Sequence, residues 1–181
     1  MKHFYIFDLD GTLADSMEFW RKETSCIKEY DVRAMETAYD RMREHYRSEI
    51  ELKDGVIEFL KRAKNSGIKM CIASATRRDV SEPLLHKTGL MDFMEFYIDC
   101  HEIHKFKEKP DIYLKAAERL GAEISDCIVF EDTEFCAETS KKAGFFTIGV
   151  DDPVSRDEGD VAAFSDMIIK NWNSVKIPCE I

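Results

Sequence analysis

The chain has 181 residues, 44% of them hydrophobic and 34% charged, which suits one globular core with a well-solvated surface. Its formal net charge of −10 repels phosphate backbones and argues against nucleic acid as a partner. No run approaches the roughly 20 apolar residues that span a bilayer, so no membrane partner is expected.

Met1-Lys2-His3 leads directly into a strand, without a basic segment, a long apolar run and a small-residue cleavage site. A cytoplasmic location is therefore expected. The first predicted strand is Phe4–Leu9, and it runs into "DLDGT", residues 8–12. Residues 15–53 carry no strand signal and hold two charged, amphipathic helices, roughly Met17–Tyr30 and Ala34–Ile50. We read them as a small helical cap inserted after the first strand, because one crossover connection rarely needs two long helices. Asp54-Gly55 then restarts an alternation. Helix Val56–Asn65 precedes strand Lys69–Ser74, helix Ser81–Thr88 precedes strand Phe96–Cys100, and helix Ile112–Leu120 precedes strand Cys127–Glu131. Helix Ala137–Ala143 precedes strands Phe146–Val150 and Met167–Ile169. Gly67, Gly89, Gly121 and Gly144 stand where helix C-caps belong. The tail after Trp172 yields no reading. Alternation with near-continuous apolar strands predicts an α/β fold: a Rossmann-like parallel sheet with helices on both faces. The expected division is a catalytic core of residues 1–14 and 54–181 with a cap of residues 15–53. Six scattered cysteines, Cys26, Cys71, Cys100, Cys127, Cys136 and Cys179, form no CxxC pair and read as reduced structural thiols.

In an open parallel sheet, ligands bind beyond the carboxyl ends of the strands. Asp8 and Asp10 follow the first predicted strand, Ser74 ends the second in "CIASAT", and Glu131 and Asp132 end the fourth in "CIVFEDT". "KFKEKPD", residues 105–111, adds three lysines before the helix at Ile112. Crowded carboxylates repel and raise one another's pKa. A divalent cation makes such crowding tolerable, and Mg²⁺ takes one or two carboxylates together with waters and phosphate oxygens. Asp8 is then placed to attack phosphorus, and Asp10 to give and later take a proton. The Asp-Gly turn leaves the Leu9 and Asp10 amides to point at a phosphate.

"DLDGT", "ASAT", the lysine before "PDIYLKAAERLG" and "VFEDT" resemble, in order, the four motifs of the haloacid dehalogenase superfamily. The likeness is closest to its β-phosphoglucomutase-like phosphatase branch and covers roughly residues 4–13 and 54–150. It implies that Asp8 is the nucleophile and Asp10 the acid/base. It implies that Ser74, with the Ala75 amide, holds a phosphate oxygen. Asp132 would bind Mg²⁺ with Asp8 and the Asp10 carbonyl, and Glu131 would be a ligand or the partner of one. Anchoring on Pro110-Asp111 makes Lys107 the family lysine, with Glu108 where the branch has proline; a plain search for Lys-Pro selects Lys109 instead. Cys136 stands where the branch usually has glycine, and the insert is shorter than the branch's usual cap.

Other signals are weaker. Serine at a strand end is ordinary, so Ser74 rests on the resemblance. Arg77 and Arg78 read as solvated charges. "CHEIH", residues 100–104, lacks the H-E-x-x-H gap and shows no helical pattern, so it reads as structural. Trp20 reads as packing between the two cap helices. The expected activity is a Mg²⁺-dependent phosphatase acting on a small phosphorylated metabolite through an aspartyl-phosphate. The alternatives are a β-phosphoglucomutase-type phosphotransferase and a non-catalytic binding protein on the same scaffold. Asp10 argues for phosphate esters, because dehalogenases of the superfamily generally lack that second aspartate.

Overall fold

The structure is a computed structural model that describes residues 2–27 and 31–176. The end of the first predicted cap helix, residues 28–30, and Cys179 lie outside the described residues. Six parallel strands form one sheet: β1 (Phe4–Phe7), β2 (Lys69–Ser74), β3 (Phe96–Asp99), β4 (Cys127–Glu131), β5 (Phe146–Val150) and β6 (Met167–Ile169). Their spatial order is β3-β2-β1-β4-β5-β6. The chain therefore winds outward from β1 on one side and returns to β4 on the other. The carboxyl ends of β1 and β4 flank the crevice where strand order reverses.

Side chains alternate across the strands and feed two apolar layers. Tyr5 and Phe7 enter a cluster with Phe59, Phe130 and Trp172, while Ile6 enters one with Ile112, Ala116 and Phe145. Helix α3 (Val56–Asn65) covers the first face and α6 (Asp111–Leu120) the second. Gly121 ends α6 at φ 69°, a conformation that costs glycine little. β1 stops at Phe7, two residues short of expectation, because the chain turns at once. The Leu9 carbonyl accepts from the amides of Leu13 and Ala14 at 2.9 and 2.8 Å.

The insert holds α1 (Met17–Thr24) and α2 (Val32–Ser48). Its two ends are zipped together: Asp15 N donates to Glu51 O at 3.0 Å and Lys53 N to Leu13 O at 2.9 Å. α2 begins at Val32, earlier than expected, because Asp31 caps it by accepting from Ala34 N at 3.0 Å. The α2 residues Tyr39, Met42 and Tyr46 are buried in the same cluster as the sheet. They pack beside α4 (Arg78–Thr88), which contains Pro83. Proline has no N–H for the carbonyl four residues earlier. That carbonyl, of Asp79, accepts from Arg43 Nε of α2 at 3.3 Å. The insert thus fills a hydrogen-bonding gap in a helix of the core.

Two corrections concern helix starts. "CHEIH" does form a single turn, α5 (Cys100–Ile103), because the Asp99 carboxylate accepts from Glu102 N at 2.8 Å. Helices α4 and α7 (Glu134–Lys142) each begin three residues before the predicted positions, α4 with the polar pair Arg78-Asp79 and α7 with Glu134, an acid suited to a helix's first turn. The unread tail forms a short 3₁₀ turn, Trp172–Ser174. Trp172 packs 4.9 Å from the Phe59 ring and donates Nε1 to Thr12 O at 3.2 Å. Cys26, Cys71, Cys100, Cys127 and Cys136 are free thiols. Among the described residues, no helix is long and apolar enough to cross a membrane.

Candidate active site

The turn after β1 delivers Asp8 and Asp10 to the crevice. Gly11 makes that turn possible at φ +77°, and a Cβ there would lie 2.1 Å from Asp132 Oδ2. Its missing side chain lets the loops after β1 and β4 approach. Asp8, Glu131 and Asp132 are all buried, and one carboxylate oxygen from each lies within 4.8 Å of the others.

Lys107 reaches this group from the loop before α6. Its ammonium donates to Asp8 Oδ1 at 2.5 Å and to Glu131 Oε1 at 2.7 Å. Tyr113 of α6 donates to the same Glu131 oxygen at 2.6 Å. Lys107 is 5% exposed, whereas Lys105 and Lys109 are exposed. Anchoring on Pro110-Asp111 therefore selected the lysine that meets Asp8. Burial works against the Lys107 ammonium, but Asp8 and Glu131 outweigh it and hold its pKa well above the ordinary lysine range. Burial also raises the Asp8 carboxyl well above the usual range; Lys107 opposes this, while Glu131, Asp132 and Asp10 add to it. Asp132 is pushed up to about 7, first by burial and then by the Glu131 charge. Three buried carboxylates thus face one ammonium, and a further cation relieves the repulsion.

The donors around that excess charge are all oxygens, the preference of hard divalent ions. The acidic triad can hold a metal ion. Asp132 is oriented for this by Thr12 Oγ1, which donates to Oδ1 at 3.3 Å, and by the Ser155 hydroxyl, which donates to Oδ2. The Asp10 side chain lies apart from the triad, within a set of hydroxyls. Ser16 Oγ donates to Oδ1 at 2.6 Å, Thr76 Oγ1 donates to Oδ2 at 2.7 Å, and the Tyr46 hydroxyl also donates to Oδ1.

Ser74 ends β2 fully buried, and its hydroxyl accepts from Thr76 N at 3.0 Å. Ala75 and Thr76 line the cleft beside it. Ser74 thus shapes the loop whose next two residues face the opening. Leu9 is fully buried, with its carbonyl bonded inside the turn. Reading the sequence missed Tyr46, Thr76, Ser16, Tyr113 and Ser155. Each acts through a tertiary contact, and only Thr76 carried a signal, its place beside "ASA".

The cleft above these groups measures about 310 Å³. Much of its apolar lining comes from the insert and includes Met17, Trp20, Met35 and Tyr39. Trp20 does pack within the insert, edge-on to Tyr39 at 6.1 Å, and also lines the cleft. Arg77 is engaged with Glu36 and Asp79 at 2.9 Å each, outside the cleft.

Comparisons with known proteins bear on the family and the fold. Residues 4–144 match a family model described as haloacid dehalogenase-like hydrolase. Over 100 residues the chain is 33% identical to the beta-phosphoglucomutase of Bacillus subtilis (strain 168), covering 55% of this chain and 43% of that protein. Over 125 residues it is 26% identical to validoxylamine A 7'-phosphate phosphatase of Streptomyces hygroscopicus subsp. limoneus, covering 69% of this chain and 57% of that protein. The chain spans about half the length of these curated relatives. CbbY from Rhodobacter sphaeroides, solved in complex with phosphate, has the same fold: TM-score 0.82 at 18% identity over 96% of each chain.

Proposed function

The chain belongs to the haloacid dehalogenase-like hydrolases, and from that premise we propose that it is a Mg²⁺-dependent phosphatase. Its substrate is a small phosphorylated metabolite, and its intermediate is an aspartyl-phosphate on Asp8. The observation that carries this reading is the Asp8–Lys107 pair, 2.5 Å apart, buried beside Glu131 and Asp132 below an open cleft. An acid buried against a lysine at a strand's carboxyl end suits a nucleophile for an anionic ester better than a structural ion pair.

Asp8 would attack phosphorus, forming an Asp8 O–P bond as the ester P–O bond breaks. Asp10 would give its proton to the departing oxygen. Asp10 would then take a proton from water, whose oxygen attacks phosphorus and releases orthophosphate from Asp8. Lys107 balances the phosphoryl charge, and the Leu9, Asp10 and Ala75 amides would receive its oxygens, with Ser74 supporting that loop. Asp8, Asp132 and the Asp10 carbonyl would hold Mg²⁺, with Glu131 fixing Lys107 beside them. When bound, the ion supplies positive charge that lets an anionic ester approach Asp8. Residues 15–53 act as the cap over residues 1–14 and 54–181. We place the reaction in the cytoplasm, where free thiols persist.

Phosphate release from a panel of monoesters, measured with Mg²⁺, with EDTA and with Asp8→Asn, tests this. Turnover is expected with Mg²⁺ alone, and EDTA and Asp8→Asn should each lower it roughly 10³-fold or more. Full turnover by a correctly folded Asp8→Asn would overturn the covalent route. Turnover that requires a sugar bisphosphate would favour a mutase.

A further inference from the structure

The lining of the cleft combines two opposite chemistries. Among the described residues that line it, Lys107 is the one cation, and Asp8 and Glu131 already engage it. The apolar part of the lining is Met17, Trp20, Met35, Tyr39 and Phe106. The polar atoms of its two amphipathic rings are turned to other partners. Trp20 Nε1 donates to the Tyr46 hydroxyl at 3.0 Å, and Tyr39 OH lies 3.3 Å from His101 Nε2. These rings therefore offer carbon faces to an occupant. Phe106 is 61% exposed at the mouth, a large ring outside the core. Arg77 lies 5.3 Å over the Tyr39 ring, but Glu36 and Asp79 hold it.

Such a lining sorts leaving groups. A polyhydroxylated one would lose water from its hydroxyls against carbon and sulfur, with few hydroxyls, those of Thr76 and Thr133, in the lining to receive them. A second phosphate would be desolvated with no cation to receive it. An aromatic or aliphatic group would bury apolar surface against rings and thioethers. We infer that the substrate is a singly phosphorylated monoester whose leaving group is uncharged and apolar or aromatic, seated between the insert and Phe106. This rests on the phosphatase reading and narrows it.

The test compares phenethyl phosphate, glycerol phosphate and a hexose bisphosphate with Mg²⁺ present. The first two have alkyl leaving groups of similar basicity, so a difference between them reports binding. Phenethyl phosphate should show kcat/KM at least about tenfold above the others, chiefly through KM. Phe106→Ser and Met35→Ser should each narrow that gap, with melting curves checking that both variants fold. Calorimetric binding of the same esters to Asp8→Asn supplies a readout that needs no turnover. Turnover with equal or reversed preference would overturn the inference and leave the phosphatase reading standing. Tighter binding of phenethyl phosphate with no turnover of any ester would overturn the phosphatase reading and, with it, the inference that such an ester is the substrate. No turnover and no binding preference would overturn both.

Discussion

Asp10 is held by three hydroxyls from three places in the chain. Ser16 begins the insert, Tyr46 belongs to α2, and Thr76 follows β2. Tyr46 contributes a neutral donor: burial, and next the nearby Asp10 charge, raise its pKa well above the ordinary range. Its hydroxyl in turn accepts from Trp20 Nε1 at 3.0 Å. Tyr46→Phe removes the hydroxyl and keeps the ring, so the fold should persist with a loss of about 1 kcal/mol. If Asp10 moves the proton, kcat for this variant should fall roughly tenfold while KM changes less than about twofold. Unchanged kcat would mean that Asp10 needs no such support. Asp8, Asp10, Lys107 and Asp132 stood out in the sequence because each sits in a short motif. Tyr46 did not, because the carboxylate it holds is 36 positions away, and Thr76, though it closes "ASAT", gave no hint of a bond to a carboxylate 66 positions away.

At the scale of the elements, the insert is bound to the core as well as laid over it. The Arg43 bond to Asp79 O joins α2 to α4, and the backbone bonds between residues 13–15 and 51–53 fix the insert's base. Within the insert, His45 of α2 lies 3.1 Å from Glu23 of α1 and 2.6 Å from Glu49. Burial works against the charged imidazole, but its hydrogen bonds to Glu23 and Glu49 win, and its pKa rises above the ordinary 6.5. The His45 hydrogen bond lowers Glu23 below its ordinary 4.5, against burial and with help from Arg41. The raised imidazole stabilises the fold fully below its unfolded pKa, and that contribution disappears as pH rises through the folded value. The lowered carboxyl stabilises above its unfolded pKa and loses that contribution as pH falls through the folded value. The pair is therefore strongest between the two ordinary values. His45→Gln should lower Tm by about 2–4 °C near pH 5.5 and by less near pH 8.5. An equal loss at both pH values, by thermal melts, would show that the imidazole charge does not join α1 to α2. The two-helix insert was visible as periodicity, and its boundary at Asp31 was not. The single turn at Cys100–Ile103 stayed hidden because one side chain, Asp99, creates it.

Across the whole molecule, topology does what no single motif does. Doubly wound order brings residues 8, 107, 131 and 132 to one crevice, because β1 and β4 are neighbours while the chain between them builds the β2–β3 half of the sheet. Alternation of strands and helices made a parallel sheet covered on both faces readable in advance, and the strand order itself was not. The tail was not readable, because the role of Trp172 depends on Thr12, 160 positions earlier. Its indole ties the sheet's aromatic layer to the loop that carries Asp10. The central claim is that this assembly makes Asp8 a nucleophile toward phosphorus. The most direct measurement is a rapid acid quench during turnover of a phosphate-labelled ester, followed by peptide mapping. Hydroxylamine-sensitive label on the peptide that contains Asp8, and none in Asp8→Asn, is the predicted result. Steady phosphate release with no label on the protein at any quench time would contradict it.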